Sequence, residues 1–484
     1  MNNSDNNKIM SGFVWKFSER FMSQGISFLV SLVLARLLTP DDYGLISLVL
    51  TFMYLADVFV VSGFNAALIQ KRDATSEDFS TLFYCSFACS IIIYAVLYFT
   101  APLIASFYNK PILVLILRVF ALRIPLSAYN SIQTAYVARH MLFQRLFYSS
   151  IAGSVFAAIV GIAMAYKGCG VWALVAQYMV NMLVNTVVLH FTIPWHLERK
   201  FSKKSAKSLM SFGWKVLAAD FMGTLFNNLR SLIIGRIYKP SDLAYYDKGQ
   251  QLPTLISDNI SVSIISVLFP AIANICDEED KVREMTRRAS QIMAYIIYPI
   301  MFGLLAVAPS LVMTLFGDQW GACVPFLQLL SISSAFGIMG NISLQVIKAI
   351  GRSDVVLKIE LWKKPLFLVL LLVGVRISVL ATAVTMVIYS AYATFVNMWQ
   401  MKKYIHYGIL RQIFDLLPVG LLSISMAIIV ILVGRIDMSA PLLLVLQVFV
   451  GVIFYIMFSV IFHLSAFTSL LDFLKDMMSK RRTN

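Results

Sequence analysis

Positively charged side chains lie inside stretches of this sequence that are otherwise strongly apolar. A charge at the centre of a bilayer costs roughly 2.5–3.5 kcal/mol on insertion scales, so an embedded charge is expected to face a cavity or a partner. Arg binds phosphate through a planar two-pronged fork, and Lys supplies a point charge. Several such cations in one cavity would suit an anionic headgroup such as a diphosphate. The embedded cations are Arg20, Arg118, Arg123, Lys215, Arg230 and Lys248.

The depth of these cations separates two interpretations. Arg20, Lys215 and Lys248 lie within about three turns of the end of an apolar run, so their long side chains can also extend to the membrane interface. Arg123 and Arg230 lie deeper, where that explanation is weaker.

Three acids are embedded as well. They are candidates for binding a coupling proton or Na⁺, or they neutralise the arginines, and the second interpretation is favoured. These acids are Asp57, Asp220 and Asp258.

Uncharged polar residues share helix faces with these charges. In the first apolar run, polar residues follow one another at i, i+4, i+7 and i+11, which is one face of a helix: Arg20, Gln24, Ser27 and Ser31. Similar seams recur in at least four other runs. Hydrogen bonds between helices are the simpler interpretation of any one residue, but the seams together predict a hydrated central cavity. The other uncharged candidates for its lining are Asn130, Asn227 and Gln251.

The composition is that of an integral membrane protein. Of 484 residues, 59% are hydrophobic and 13% are charged, and the mean hydropathy is +0.78. Ordinary soluble domains have roughly twice this charged fraction. The apolar runs are continuous rather than alternating, which predicts helices and not barrel strands. We expect an all-α polytopic protein of about fourteen spans, of which the first is 13–38, the fourth 112–137, the fifth 146–166 and the last 440–463.

Lys and Arg are distributed unevenly between the connecting segments. They concentrate in the segments that would be cytoplasmic if the amino terminus is inside, such as 196–208 and 348–364. The positive-inside rule then places both termini in the cytoplasm, and no cleavable signal peptide is visible. The net charge of +15 is explained by membrane lipid headgroups without nucleic acid.

Two turns in the sequence repeat with an offset of 200 residues. The stretch "ARLLTPDDYG" (35–44) is echoed by "GRIYKPSDLA" (235–244). The echo predicts two parallel six-helix lobes around the central cavity, with an axis along the membrane normal. We expect an N-lobe at 1–195, a basic linker at 196–208, a C-lobe at 209–400, and two extra spans with a cytoplasmic tail at 401–484. Pro40, with Asp41 or Asp42 as a helix cap, indicates that the turn itself is structural.

Motifs for catalysis or metal binding are missing from the sequence. It contains no Walker A pattern, no HExxH and no CxxC, and its five His residues are scattered. No catalytic residue, metal or cofactor is therefore expected, and the protein is interpreted as a transporter rather than an enzyme.

Several blocks resemble Wzx-type oligosaccharide flippases, in the subgroup that handles exopolysaccharide, colanic-acid-like and teichuronic-acid-like repeat units. They are "GFNAALIQKRDATSEDFSTLF" (63–83), "TAYVARHMLFQRL" (134–146), "LAYYDKGQQLPTLI" (243–256), "LFGDQWGACVPFLQLLSI" (315–332) and "KAIGRSDVVLKIELWKK" (348–364). The resemblance implies membership of the superfamily shared by multidrug extruders, oligosaccharidyl-lipid flippases and polysaccharide exporters. It implies a location in the inner membrane of a bacterium and a cavity that opens alternately to either side. Some members of the superfamily have two extra helices, which would correspond to spans 13 and 14.

The resemblance also implies a substrate. This is an undecaprenyl-diphosphate-linked oligosaccharide, turned from the cytoplasmic to the periplasmic leaflet, and a polysaccharide polymerase and a chain-length regulator are possible partners. Cavity arginines of related flippases are thought to receive the diphosphate, which here corresponds to Arg20, Arg123, Arg230 and Lys248. Two alternatives stay open: a cation-coupled drug antiporter of the same architecture, and a membrane-embedded glycan polymerase or ligase.

Overall fold

The computed structural model describes residues 3–70, 75–195 and 197–468. These residues form fifteen α-helices and one 3-10 turn, Asp318–Cys323. The helices are α1 (Asn3–Leu37), α2 (Pro40–Gln70), α3 (Ser76–Phe107), α4 (Ile112–Phe120), α5 (Arg123–Arg139), α6 (Phe143–Tyr166), α7 (Val171–Thr192), α8 (Lys203–Ile237), α9 (Pro240–Ala273), α10 (Glu279–Leu315), α11 (Val324–Ala349), α12 (Ser353–Ile377), α13 (Val379–Ile405), α14 (Ile409–Val433) and α15 (Ala440–Ile461).

The predicted all-α polytopic membrane fold is confirmed. Within the described ranges, 12 helical segments are long and apolar enough to cross a membrane by length and composition. The predicted count of about fourteen includes α8 and α12, which are long but more polar. Lys215, Asp220 and Arg230 interrupt α8, and α12 begins with a charged stretch. Membrane crossing by these two helices stays a prediction.

The fourth predicted span is a broken helix. Residues 112–137 were expected as one helix, but the chain turns at Ala121 and Leu122 between α4 and α5. Pro125 explains the break, because it has no N–H to donate to the carbonyl of Ala121, one helical turn earlier. Arg123 therefore stands at the first position of a new helix.

The chain forms two compact units, Met1–Ala244 and Tyr245–Asn484. In the first unit, α6 and α7 pack along each other, α1 packs on α6, and α8 packs along α2. Gly153 allows α6 and α7 to approach closely, since a Cβ there would lie 2.9 Å from the Asn181 carbonyl oxygen. The sequence repeat divides the chain at the linker instead, so the two divisions differ by α8.

In the second unit, α10 contacts α11, α14 and α15, while α13 lies against α11 and α12. The two helices beyond the repeat are fixed by buried polar contacts. The Tyr455 hydroxyl of α15 donates to the Tyr295 carbonyl oxygen at 2.9 Å, and Gln412 Nε2 of α14 donates to the Met398 carbonyl oxygen at 3.1 Å. Helices α14 and α15 are thus integral to the packing of this unit.

The two repeated turns meet in the first unit. Thr39 and Asp42 form a reciprocal cap at the start of α2, in which Thr39 Oγ1 donates to Asp42 Oδ2 at 2.7 Å. Asp41 does not cap its own helix and instead accepts a hydrogen bond from the Ser241 N–H at 3.0 Å. Of the two acids predicted as caps, Asp42 fills that role, and Asp41 joins the two turns. We call this contact the turn clasp.

Candidate functional site

An open groove of about 380 Å³ lies between α2 and α8. Aromatic, carboxylate, hydroxyl and amide groups line it together with two valines. This mixed lining can donate and accept hydrogen bonds as well as pack against apolar groups. The lining residues are Tyr54, Asp57, Val58, Val61, Thr224, Asn227 and Asn228.

Asp57 of this groove forms an ion pair with Arg123. Arg123 Nη2 donates to Asp57 Oδ2 at 3.1 Å, and the two side chains are 19% and 18% exposed. The pair joins α2 to the first residue of α5. The ring of Phe120 lies 5.7 Å from the guanidinium carbon, which adds a cation–π contact. The break before α5 thus positions this arginine.

The ion pair keeps unused hydrogen-bonding capacity. Asp57 Oδ1 and Arg123 Nε are both buried, and neither has a hydrogen-bond partner among the described residues. Buried polar atoms are almost always hydrogen-bonded in folded proteins, so an exception calls for an explanation. A ligand that offers both acceptor and donor groups would satisfy them.

Asn130 lies two turns after Arg123 on α5 but serves helix packing. Its Nδ2 donates to Thr186 Oγ1 of α7 at 3.3 Å, and its Oδ1 accepts from Thr134 Oγ1 at 3.3 Å. Gln133 reaches the same place, since its Nε2 donates to the Thr186 carbonyl oxygen at 3.4 Å. For this residue the structure shows the interhelical hydrogen bond that the simpler interpretation describes.

Helix α1 carries two polar faces. The predicted seam includes Arg20 and Gln24, both half-buried, and Arg20 has no hydrogen bond or ion pair with any residue that the structure describes. The other face turns to α6, where Glu19 accepts from Lys16 Nζ and from Ser150 Oγ, each at 3.0 Å. Sequence reasoning missed Glu19, although its spacing from Lys16 is that of a helical ion pair.

The predicted polar residues of α8 differ in their exposure and in whether they line the groove. Asn227 is exposed and lines the groove, Asp220 is exposed outside it, and Arg230 is half-buried. Asn228, which was not singled out, lines the groove while its Nδ2 donates to the Thr224 carbonyl oxygen at 2.8 Å. The spacing of polar residues in the sequence indicated Asn227 but did not indicate that Asn228 also lines the groove.

The remaining predicted site residues belong to the second unit. Lys248 is 6% exposed, and its Nζ donates to Gln251 Oε1 at 3.2 Å. The rings of Phe316 and Trp320 lie 5.2 and 5.7 Å from the same nitrogen, so aromatic faces cover this cation. Asp258, three turns further along α9, is exposed.

A second buried cation was missed by the sequence analysis. Lys363 of α12 is 5% exposed, and its Nζ bonds to Glu360 Oε1 at 2.6 Å and to Asn397 Oδ1 at 3.3 Å. Asn397 in turn donates to the Gly340 carbonyl oxygen at 2.9 Å, which links α12, α13 and α11. Its place in a basic stretch suggested a solvated cytoplasmic lysine, and only tertiary packing distinguishes it.

Metal-binding clusters of three or more His, Cys, Asp or Glu side chains do not occur in the described part of the chain. The cysteines Cys85, Cys89, Cys169, Cys276 and Cys323 are free thiols.

A bundle of long apolar helices with a polar groove and a half-buried ion pair is the structure of a polytopic membrane protein. Two solved structures share the fold. A Lipid II flippase MurJ in an inward closed conformation aligns with a TM-score of 0.73 at 14% identity, covering 93% of this chain and 99% of that one. An inward-facing multidrug resistance MATE family transporter of the MOP superfamily aligns with a TM-score of 0.62 at 15% identity, covering 81% and 98%.

The family follows from the sequence match. The model of the family described as polysaccharide biosynthesis protein matches residues 33–325, and the chain belongs to this family. The teichuronic acid biosynthesis protein TuaB of Bacillus subtilis is 25% identical over 72% of both chains. The succinoglycan biosynthesis transport protein ExoT of Rhizobium meliloti is 23% identical over 70% of this chain and 69% of its own.

A third relative is the lipopolysaccharide biosynthesis protein WzxC of Escherichia coli, 23% identical over 76% of this chain and 75% of its own. Together these matches confirm the resemblance to Wzx-type flippases of the MOP superfamily that the sequence blocks indicated. The chain is a multi-pass membrane protein of the polysaccharide biosynthesis family.

Proposed function

We propose that this protein flips undecaprenyl-diphosphate-linked oligosaccharide repeat units from the cytoplasmic to the outer leaflet by alternating access. Membership of the polysaccharide biosynthesis family supports the pathway, and a relative named as a transport protein supports the type of activity. One observation carries the proposal at the site: a polar groove between α2 and α8 includes a carboxylate that is paired with a half-buried guanidinium. That arrangement suits an anionic, heavily hydroxylated headgroup.

Arg123 is the proposed receptor for the diphosphate. A guanidinium has five N–H donors in a fixed fork, and the Nε donor of Arg123 is unused within the described residues. Asp57 compensates the charge of the Arg123 guanidinium through their ion pair. A phosphate oxygen that binds the guanidinium can take over that role, because the exchange replaces one anionic acceptor with another of similar strength. Asp57 is then the resident counter-ion that the substrate displaces.

Neutral groups of the groove supply the remaining contacts. The Tyr54 hydroxyl, the Thr224 hydroxyl and the Asn227 amide both donate and accept hydrogen bonds, as the hydroxyl groups of sugars require. The other predicted substrate contacts stay predictions: Arg20, Gln24, Asn130 and Arg230 in the first unit, and Lys248 and Gln251 in the second. Asp57, Asp220 and Asp258 stay predicted positions for a coupling ion.

The remaining proposals concern the setting of the protein. Translocation breaks no covalent bond, so we propose a transporter and not an enzyme. Both termini would lie in the cytoplasm, and a polysaccharide polymerase and a chain-length regulator would act on the flipped product. The antiporter alternative predicts that overexpression changes drug susceptibility. An unchanged susceptibility would remove it.

Replacing Arg123 with Gln tests the proposal in a strain that lacks the chromosomal gene. We expect at least tenfold less surface polysaccharide and a build-up of lipid-linked repeat unit on the cytoplasmic face, because the substrate loses its charged receptor. Arg118→Gln is the matched control. Arg118 lies five residues away, its Nε donates to the Tyr98 carbonyl oxygen at 3.2 Å, and its guanidinium carbon lies 4.2 Å from the Tyr98 ring. Normal polysaccharide in the Arg123→Gln strain, at equal protein levels, would contradict the assignment.

A further inference from the structure

Helix α8 opens the second sequence repeat, yet it is fastened to helices of the first repeat at both ends and in its middle. The helix at the equivalent position of the first repeat, α1, packs on α6 of its own repeat, with Ser23 and Ser154 hydroxyls 3.4 Å apart. Helix α8 instead packs along α2 and also contacts α3. This docking is therefore not a feature that the repeat copies from one lobe to the other.

The segment that leads into α8 is tied to the first turns of α3. We call residues 193–195 and 197–202 the strap. The Glu198 N–H donates to Ser80 Oγ and the Ser202 N–H donates to Thr81 Oγ1, each at 3.0 Å. Both acceptor residues are fully buried. The Tyr84 hydroxyl donates to the Glu198 carbonyl oxygen at 3.1 Å, so the backbone N–H and the backbone carbonyl of Glu198 are both hydrogen-bonded to α3.

The strap also holds the first turn of α8 directly. Ser202 is the N-cap of this helix, and its Oγ accepts from the Ser205 N–H at 3.2 Å. The same residue bonds through its backbone to Thr81. Trp195, 5% exposed, packs against Phe79 of α3 and closes the strap with an apolar contact. A shift of the first turn of α8 away from α3 would break these contacts together.

The middle of α8 and its far end are fastened in the same unit. The rings of Phe221 and Phe59 lie 5.1 Å apart, which packs α8 on α2. The hydroxyl of Tyr108, at the end of α3, donates to the Leu232 carbonyl oxygen at 3.3 Å. The guanidinium carbon of Arg236 lies 4.8 Å from the Phe107 ring.

We propose that α8 is mechanically part of the first body: it stays fixed on α2 and α3 through the transport cycle. The chain then passes to the moving second body only after the turn at Tyr238 and Lys239, and not at the linker 196–208. This rests on the proposed function, since it names the parts that move during flipping. The first compact unit ends at Ala244, beyond this turn and not at the linker.

Two cysteine cross-links test the proposal in a background without the five native cysteines. The strap pair is Thr81→Cys with Ser202→Cys, and the clasp pair is Asp41→Cys with Ser241→Cys. After treatment with a short thiol cross-linker, we expect the strap pair to keep at least half of the flipping rate of its untreated form. The clasp pair should lose more than tenfold, because Ser241 is in the first turn of α9, a helix that continues beyond Ala244 into the second unit, so this cross-link would tie the moving body to α2. A tenfold loss in the strap pair on cross-linking would overturn the proposal.

A distance measurement keeps the inference testable if no flipping is found at all. Spin labels at Phe99 of α3 and Met222 of α8, which are 75% and 51% exposed, report the position of α8 without a transport assay. We expect the distribution of distances between the two labels to be the same in protein with a cross-linked clasp and in protein without the cross-link. A shift of about one helical turn, about 5.4 Å, would overturn the proposal even if the flippase assignment holds. An unchanged distance with no flipping would leave α8 in the first body and count against the flippase assignment alone.

Discussion

At the scale of single residues, the Asp57–Arg123 pair is the most informative feature of the chain. Both residues were predicted from their depth in apolar runs. The favoured interpretation was that embedded acids neutralise the arginines, but which acid meets which arginine was not predicted. These partners are 66 positions apart on α2 and α5, and packing sets the relative rotation of the two helices. The same limit explains why the contact of Asn130 with α7 and the burial of Lys363 were not predicted: helical spacing gives the face of one helix but not its neighbour.

Changing Asp57 to Asn, alone and with Arg123→Gln, separates a structural role from a binding role. The single change leaves a half-compensated cation, and we expect it to destabilise the purified protein by about 1–3 kcal/mol. The double change removes both partners and should recover most of that stability. It should not recover flipping, since the receptor for the diphosphate is gone. Thermal unfolding in detergent and surface polysaccharide are the two measurements.

The outcome of the double variant decides between the roles. If the Asp57→Asn, Arg123→Gln protein is both stable and active, the pair serves only to hold α2 on α5. The control is the double variant at Lys16 and Glu19, an ion pair of α1 that lies on the α6 side and not in the groove. It should keep at least half of normal flipping.

At the scale of the helices and turns, the sequence predicted most elements within a few residues. The predicted span 440–463 is found as Ala440–Ile461, and 146–166 as Phe143–Tyr166. The break between α4 and α5 was missed, although Pro125 stood three residues into the second piece. The repeated turn was correctly interpreted as structural for Asp42, while the role of Asp41 depends on a contact with Ser241 that no local pattern reveals.

Gly44 is the residue on which closure of the turn clasp depends. A Cβ at this position would overlap the Pro240 carbonyl, so Gly44→Ala should force the starts of α2 and α9 apart. We expect at least fivefold faster modification of a cysteine at position 241 by a membrane-impermeant thiol reagent. Gly25→Ala on α1 is the control, because a Cβ there meets nothing within 4 Å. Equal modification rates in the two variants would show that the clasp does not close that end.

At the scale of the whole molecule, composition and the 200-residue echo predicted a polytopic bundle, and the fold of known transporters confirms it. The echo also brought together the two turns that meet in the clasp. The assignment of α8 to the first compact unit lay beyond sequence reasoning, because repeats record ancestry and not the contacts that a helix makes after duplication. Family membership adds the polysaccharide pathway to this picture.

Flipping by the purified protein tests the central claim most directly. The protein is reconstituted in liposomes that carry an undecaprenyl-diphosphate-linked oligosaccharide, and the fraction of sugar reached by a membrane-impermeant glycosidase is followed over time. We predict that wild-type and Arg118→Gln protein expose the inner-leaflet pool, while Arg123→Gln protein exposes it at least tenfold more slowly. An inner-leaflet pool that stays protected with folded wild-type protein, as it does in protein-free liposomes, would contradict the account.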